Sequence, residues 1–449
     1  MLISENRHPV KTLAWLLVLC LLPGLGLILY IYFGLDNRKK RLIKQHDLEE
    51  LKQQTLNANG SKICKDISKD HIELVNLLWR TNHAYPLSGN GVKIYTMFNS
   101  MLSEMITDLK AAKHHIHFEF FKFEDDEIGR QVEEVLIAKA AEGLEVRVLY
   151  DHAANLQRYK LYSRLRAAGV KVSAFGRIYP LLTSDTTYRN HRKIVVIDGR
   201  IGYIGGMNIA ERYARGTDKG IWRDSHIRVA GPAVSDMQTC FLVDWQYSAK
   251  EKLSSGSYYP KLEKQGDVLM QIASSGPRDQ WRVIMQGIIQ MISQSNKYVY
   301  IQSPYLIPTE SVMVMLRNAA LSGVDVRVMI PNNGDRGEFV QYASKSYVKD
   351  ALDAGVRVFF YTKGYLHSKT IVSDDKVVTI GSANIDVRSF EQDFEANAFI
   401  YDMVLASRFK EIFLEDQQYC KEIKKEEWEK RSKFKKFLES FARLFSPIL

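Results

Sequence analysis

The sequence predicts an α/β fold made of two repeats related by pseudo-twofold symmetry and preceded by an N-terminal transmembrane helix. Three observations predict it. One phrase occurs twice with identical offsets: His191-x-Lys193, Asp198, Gly205-Gly206-x-Asn208, then His367-x-Lys369, Asp374, Gly381-Ser382-x-Asn384. Ahead of each copy, short apolar runs alternate with stretches of helical periodicity. Near the N-terminus stands one long apolar run.

Taken from the N-terminus, residues 1–45 form an anchor. Leu13 to Leu35 holds no charged residue and is long enough to cross ~30 Å of hydrocarbon. A cleaved leader would have a shorter apolar core, roughly 7–15 residues, and a small-x-small cleavage site, which is missing here. Arg38, Lys39, Lys40, Arg41 and Lys44 follow the run and only Arg7 and Lys11 precede it, so the positive-inside bias places the rest of the chain in the cytoplasm. Residues 36–60 read as a charged, helical stalk.

The first domain is expected over 46–255 and the second over 256–430, with the boundary in the polar, Ser/Gly-containing stretch Lys250 to Gly266. "KHHIHFEFFKF" from Lys113 answers "NKYVYIQSPYL" from Asn296; "GLEVRVLYD" answers "GVDVRVMIP"; "AAGVKVSAF" answers "DAGVRVFFY". Helical stretches over Ile128–Ala141 and Glu310–Ala320 lie between the first two strands of each half. Strand alternating with helix implies a mostly parallel sheet with helices on its faces. Two such sheets would bring both His-Lys strands to one central interface. From Gly169 to His191 the first half is longer than the second is from Gly355 to His367, and the extra "RIYPLLTSDTTYRN" reads as a surface loop or a lip over the site. The last segment, 431–449, repeats Phe434, Phe437, Leu438, Phe441 and Phe445 at helical spacing beside Lys433, Lys435, Lys436 and Arg443. Such a helix lies in an anionic membrane interface or packs on the core.

Composition narrows the partners. At 449 residues, 46% hydrophobic and 25% charged, the chain has room for two ordinary domains. A formal net charge of +10 favours anionic partners, nucleic acid or lipid, and the apolar run argues for lipid. Cys20, Cys64, Cys240 and Cys420 show no CxxC spacing, which speaks against a disulfide framework or a zinc site and for reduced thiols.

Two histidines and two lysines in identical frames suit phosphodiester chemistry: the imidazoles act as nucleophile and general acid, and the ammonium groups neutralise the phosphate. His191 and Lys193 are two apart on a strand and face the same way, as are His367 and Lys369. Asp198 and Asp374 fall on the opposite parity, so each has a structural or supporting place. A catalytic imidazole wants a carboxylate on its other nitrogen, and Asp224 in WRDSH and Glu395 in DFEAN stand at matching places downstream. Asn208 and Asn384 can donate to phosphate oxygens, and the Gly-Gly and Gly-Ser steps before them allow close backbone approach. His114, His115 and His117 imitate a metal cluster, but only the last two share a strand face, which favours core histidines. Trp222 and Arg223 either grip a headgroup or pack the first half.

The doubled phrase resembles the HKD signature of the phospholipase D superfamily. The surrounding text, including "IHFEFFKFEDDEIG", "NHRKIVVIDGRIGYIGGMNI", "WRDSHIRVAGPAV", "YIQSPYLIP" and "LHSKTIVSDDKVVTIGSANIDVRSFEQDFEANA", is similar to the bacterial cardiolipin synthases from Asn6 onward. Members of that branch usually carry two apolar spans before the catalytic part, whereas one is evident here. The resemblance implies two phospholipase D-like repeats and a catalytic set of His191, Lys193, Asp198, His367, Lys369 and Asp374. It implies a phosphatidyl group carried on His191, with His367 as acid and base, and neither metal nor cofactor. The substrate it implies is phosphatidylglycerol in an anionic membrane, converted to cardiolipin and glycerol, with no nucleic-acid partner. A hydrolytic phospholipase D or other phosphodiesterase, and a non-catalytic membrane scaffold, are the alternatives.

Overall fold

The computed structural model describes residues 9–34, 42–177, 188–334 and 337–449. Seven strands of the first half are β1 (Leu87–Tyr95), β2 (His115–Phe120), β3 (Glu145–Asp151), β4 (Lys171–Phe175), β5 (Lys193–Ile197), β6 (Ile201–Gly205) and β7 (His226–Ala230). Their counterparts are β8 (Val268–Ser275), β9 (Tyr298–Gln302), β10 (Asp325–Pro331), β11 (Arg357–Tyr361), β12 (Thr370–Ser373), β13 (Val377–Gly381) and β14 (Asp393–Tyr401); a further strand, β15 (Cys420–Ile423), edges the second half. The first half is ordered β1-β7-β6-β5-β2-β3-β4 and the second β8-β14-β13-β12-β9-β10-β11, the same order strand for strand.

Along this order β2-β3-β4 and β9-β10-β11 are parallel, and the remaining neighbours are antiparallel. The expected mostly parallel sheet is therefore a mixed one. Tight hairpins after β5 and β12 reverse the chain, and no crossover helix intervenes there. Nor are there two separate sheets. β1 pairs with β8 through Leu87 and Asn90, then with β7 from Gly91 to Tyr95, with a register shift between Leu87 and Asn90. One strand thus joins the halves. Ile194, Val196, Ile204 and Ile227 of the first half meet Val378, Ile380, Ala398 and Ile400 of the second in a shared apolar layer. Val195 and Ile197, of opposite parity, face the first half's outer helices instead.

Packing crosses the expected domain boundary. Leu74, Val75 and Leu78, on helix Ile72–Asn82, join Ile284, Ile288 and Met291 of the second half's helix Val283–Ser293. By contact this helix belongs to the second half, although it precedes the first in the chain.

The N-terminal run is not one continuous helix. It forms helices Pro9–Leu21 and Pro23–Leu29, the latter continued by a π-helical turn over Tyr30–Gly34. Leu22 leaves helical geometry at φ −131° and ψ 63°. The cause is Pro23, whose ring disfavours the helical conformation of the residue before it. Trp15 and Tyr30 stand with ring centroids 5.4 Å apart, where a straight helix would separate them by ~22 Å, so the run folds back on itself. Among the described residues, no helix is long and apolar enough to cross a membrane. Leu13, Leu17, Leu21, Leu25 and Ile28 are exposed on the hairpin. Arg7, the basic cluster Arg38 to Arg41 and residues 178–187 of the extra loop lie outside the described residues.

The C-terminal helix, Lys433–Arg443, packs on the core by one face and leaves the other exposed. Ala442 and Glu439 are buried, Glu439 pairs with Arg431, and Arg443 reaches Asp350 at 2.7 Å. The opposite face leaves Phe434 69%, Phe437 65% and Leu444 74% exposed. Phe434→Ser with Phe437→Ser should therefore leave stability within about 0.5 kcal/mol of the parent, whereas Ala442→Leu, which overfills the docked face, should cost ~1–3 kcal/mol. Chemical denaturation of both variants measures the difference.

Candidate active site

The two motif histidines are placed by exchanged backbone pairing. Before His191, the short strand Arg189–Asn190 pairs in parallel with Asp393–Phe394 of β14, and the His191 N–H donates to the Phe394 carbonyl at 2.9 Å. Before His367, Gly364–Leu366 pairs in parallel with Ile221–Arg223, and the His367 N–H donates to the Arg223 carbonyl at 2.7 Å. The residue after Phe394 is Glu395, and the residue after Arg223 is Asp224. Each clasp therefore sets one half's histidine beside the other half's carboxylate. Nδ1 of His191 lies 3.0 and 3.2 Å from the two oxygens of Glu395, and Nδ1 of His367 lies 2.6 Å from Oδ2 of Asp224. A carboxylate on Nδ1 fixes the orientation of each ring.

Lys193 and Lys369 each donate from Nζ to the carbonyl of the histidine two residues before, and Lys369 Nζ also stands 2.9 Å from Nδ1 of His367. All six groups are buried. Burial raises Asp224 to about 6 and raises Glu395, in both cases against the pull of the lysines. Burial also lowers Lys193 to about 7; the negative charge of Glu395 resists this and the positive charge of Lys369 adds to it. The site sets two buried lysines against two buried carboxylates, so both ammonium groups lose hydration that an anionic group can replace.

Behind this layer, Arg192 pairs with the buried Asp244 and donates from Nε to the Glu395 carbonyl at 3.1 Å. On the other side Arg223 reaches Asp416 at 3.0 Å and Ser225 at 3.1 Å. Gly206 has a different task from the expected approach to phosphate: a Cβ there would come within 2.1 Å of Oδ1 of Asp224. The missing side chain is what admits that carboxylate. Asn208 accepts from the Lys122 N–H at 3.1 Å and donates to the Tyr213 hydroxyl at 2.9 Å, while Asn384 donates to Asp386 at 3.0 Å. Tyr213 in turn lies 3.3 Å from Nδ1 of His367. Tyr213, Arg192 and Asp244 carry no motif, and sequence reasoning missed them.

Asp198 and Asp374 are not brought to the histidines. Asp198 occupies the hairpin after β5 at φ +54° and accepts from the N–H groups of Lys113, His114 and His115 at 2.8, 2.8 and 2.9 Å. Asp374, at φ +55°, accepts from Asn296, Lys297 and Tyr298 at 2.7, 2.9 and 2.8 Å. Each carboxylate ties the His-Lys hairpin to the start of the neighbouring strand, at the far end of its strand from the lysine. The cluster of His115 and His117 is a core feature: Gln238 bonds both rings, at 3.0 and 2.7 Å, and burial holds His115 down to about 4.

With this geometry in view, the comparisons identify the chain's relatives. The family described as "Cardiolipin synthase, PLD-like domain" matches residues 105–238 and 288–417, and that described as "Phospholipase_D-nuclease N-terminal" matches 1–34. The chain belongs to the cardiolipin synthase family. It is 39% identical to the major cardiolipin synthase ClsA of Bacillus subtilis (strain 168), covering 99% of this chain and 95% of that relative. It is also 39% identical to a cardiolipin synthase of Staphylococcus aureus (strain Mu50 / ATCC 700699), covering 99% and 92%. The crystal structure of a phosphatidylserine synthase of Haemophilus influenzae Rd KW20 shares the fold, with a TM-score of 0.65 and 15% identity over 84% of this chain and 100% of that one. The family assignment makes the chain an enzyme of the phospholipase D type, and both repeats carry their motif in full.

Two outcomes follow from the site. Asp198→Asn should cost about 1.5–3 kcal/mol of stability, because three N–H groups lose a charged acceptor, while turnover per folded molecule changes less than twofold. Urea titration and active-site counting separate the two effects. Binding of an inert oxyanion such as tungstate should weaken as pH rises through about 7, since Lys193 is protonated below that value and neutral above it. Calorimetry in buffers of different ionisation enthalpy should show proton uptake on binding above pH 7, and Lys193→Met should abolish that uptake.

Proposed function

We propose that this enzyme transfers a phosphatidyl group from one phosphatidylglycerol to the headgroup hydroxyl of a second, giving cardiolipin and glycerol. The observation that carries the reading is the pair of exchanged contacts, His191 with Glu395 and His367 with Asp224, around two buried lysines. Such a site holds two imidazoles in complementary roles about one phosphorus. His191 Nε2 attacks phosphorus while the bond to the glycerol oxygen breaks, and His367 Nε2 gives its proton to that oxygen. Glu395, bonded to His191 through both oxygens, offsets the positive charge that grows on the nucleophile. In the second step the hydroxyl of the acceptor lipid gives its proton to His367 and attacks phosphorus, and the P–N electron pair returns to His191.

Access to lipid is supported at two places. The apolar hairpin over Pro9–Gly34 has arms of ~20 Å, which suits insertion into one leaflet better than a crossing of ~30 Å. Phe434 and Phe437 project beside Lys433, Lys435 and Lys436, a pattern suited to an anionic interface. The basic residues after the hairpin favour the cytoplasmic face of the membrane for the catalytic body.

His191→Ala and His367→Ala should each reduce product formation by at least 10³-fold, since the two groups act as one unit. Quenching the reaction with labelled phosphatidylglycerol and mapping the labelled peptide should place the label on His191. Label on His367 reverses the roles, and release of phosphatidic acid alone by the parent enzyme marks a hydrolase.

A further inference from the structure

The two clasps are related by the pseudo-twofold, but their side chains are of opposite character. At His367 the paired residues are Tyr365 and Trp222; at His191 the corresponding pair is Arg189 and Asp393. The difference extends outward. Arg212 and Arg388 stand four residues after Asn208 and Asn384 respectively. Arg388 binds Asp393 at 3.2 Å, within its clasp, whereas Arg212 pairs outside the clasp with Glu124 at 3.6 Å and sets its guanidinium 5.2 Å over the Trp222 ring and 5.6 Å over Tyr213. Three aromatic rings, Trp222, Tyr365 and Tyr213, have centroids within 5.7, 5.9 and 6.0 Å of the His367 ring. Phe121 meets the His191 ring at 4.7 Å. Trp222 is half-buried, and its indole Nε1 is buried with no hydrogen-bond partner among the described residues.

A fold that keeps strand order and the histidine-lysine pairs in duplicate has thus made the paired clasp positions charged at His191 and aromatic at His367. In-line displacement gives the two sides different cargo. The alcohol that leaves and the alcohol that enters both pass opposite the nucleophile, against the acid-base histidine. Glycerol presents C–H groups, which rest on aromatic faces, and vicinal hydroxyls, which accept from a donor such as the indole N–H. We propose that Trp222 and Tyr365, with Tyr213, form the subsite for the polyol exchanged at phosphorus: free glycerol as it departs, and the headgroup glycerol of the acceptor lipid as it arrives. The aromatic wall also keeps water from the phosphatidyl-enzyme, so that the hydroxyl seated on it is the one His367 deprotonates. This rests on the reading above, in which His191 carries the phosphatidyl group.

The test uses the full-length enzyme in vesicles with phosphatidyl-p-nitrophenol as donor and glycerol as acceptor. Nitrophenolate release counts phosphatidyl-enzyme formation, and the ratio of phosphatidylglycerol to phosphatidic acid reads the fate of each phosphatidyl group. Trp222→Leu and Tyr365→Leu should each lower that ratio about tenfold at fixed glycerol and raise the KM for glycerol, whatever the total rate, while Trp222→Phe keeps the ratio within about threefold of the parent. Loss of nitrophenolate release and of both products together, with the ratio and KM unchanged in these variants, would show that the rings serve packing alone and overturn the proposal. If Trp222→Leu does not fold, Tyr365→Leu and the KM of Trp222→Phe decide the matter. A parent enzyme that forms phosphatidic acid but never a phosphatidyl alcohol would overturn the transferase reading itself, and the subsite with it.

Discussion

The exchanged clasp is the contact on which the site depends. Neither half completes its own histidine. The N–H of His191 is held by β14 of the second half and the N–H of His367 by the Ile221–Arg223 strand of the first, so both imidazole-carboxylate pairs exist only when the halves are docked. The apolar layer between the half-sheets supplies the docking free energy, and β1 passing from β8 to β7 fixes the register of that docking. The site is thus a product of the interface, and any loosening of the interface separates each base from its carboxylate.

Burial gives the site its chemistry at a cost that the fold must meet. Lys193 is fully buried and Lys369 nearly so, with Asp224 and Glu395 fully buried beside them. Removal from water drives each of Lys193, Asp224 and Glu395 toward its neutral form, and the opposite charges nearby hold it back. A phosphodiester entering this space meets donors that are already oriented and poorly hydrated, so little reorganisation accompanies charge development at phosphorus. The ion pairs behind it, Arg192 with Asp244 and Arg223 with Asp416, hold the backbone that presents Glu395 and Asp224.

Much of this could be read from the chain because the repeat is written twice. Strand parity alone separates Asp198 from Lys193, and the three N–H groups bound by its carboxylate show what occupies it instead. Asp198-Gly199 is also a hairpin signal, and a hairpin at that place makes the sheet mixed. In the same way Pro23 marked the break in the apolar run, where counting apolar residues alone suggested a single helix. The matched places of Asp224 and Glu395 mark them as carboxylates for the imidazoles, but the sequence withholds which histidine each one meets. Glu395 is 204 residues from His191, and nothing local to either says that they meet. Helix Ile72–Asn82 is amphipathic in the ordinary way, and its pattern does not say which half it will cover.

Duplication explains both the symmetry of the chemistry and the departures from it. A phosphoryl transfer through a covalent intermediate needs two basic groups that are alike in kind and unlike in task, and a repeated domain supplies the likeness without further design. The unlikeness then has to be built by substitution around a conserved frame. In this chain it is found beside the histidines and not in them: Tyr365 and Trp222 face Arg189 and Asp393 across the pseudo-twofold, Arg212 lies over Trp222 and pairs with Glu124 where Arg388 pairs with Asp393, and Gly206 opens room for Asp224 where Ser382 donates to and accepts from the backbone of Ala396. Ring faces and ion pairs differ in how they treat a neutral polyol and a charged phosphate, so these substitutions can divide the labour of two otherwise equivalent imidazoles. The asymmetry of the site is therefore a property of its walls, set around two histidine-lysine pairs that remain alike in sequence frame and backbone pairing.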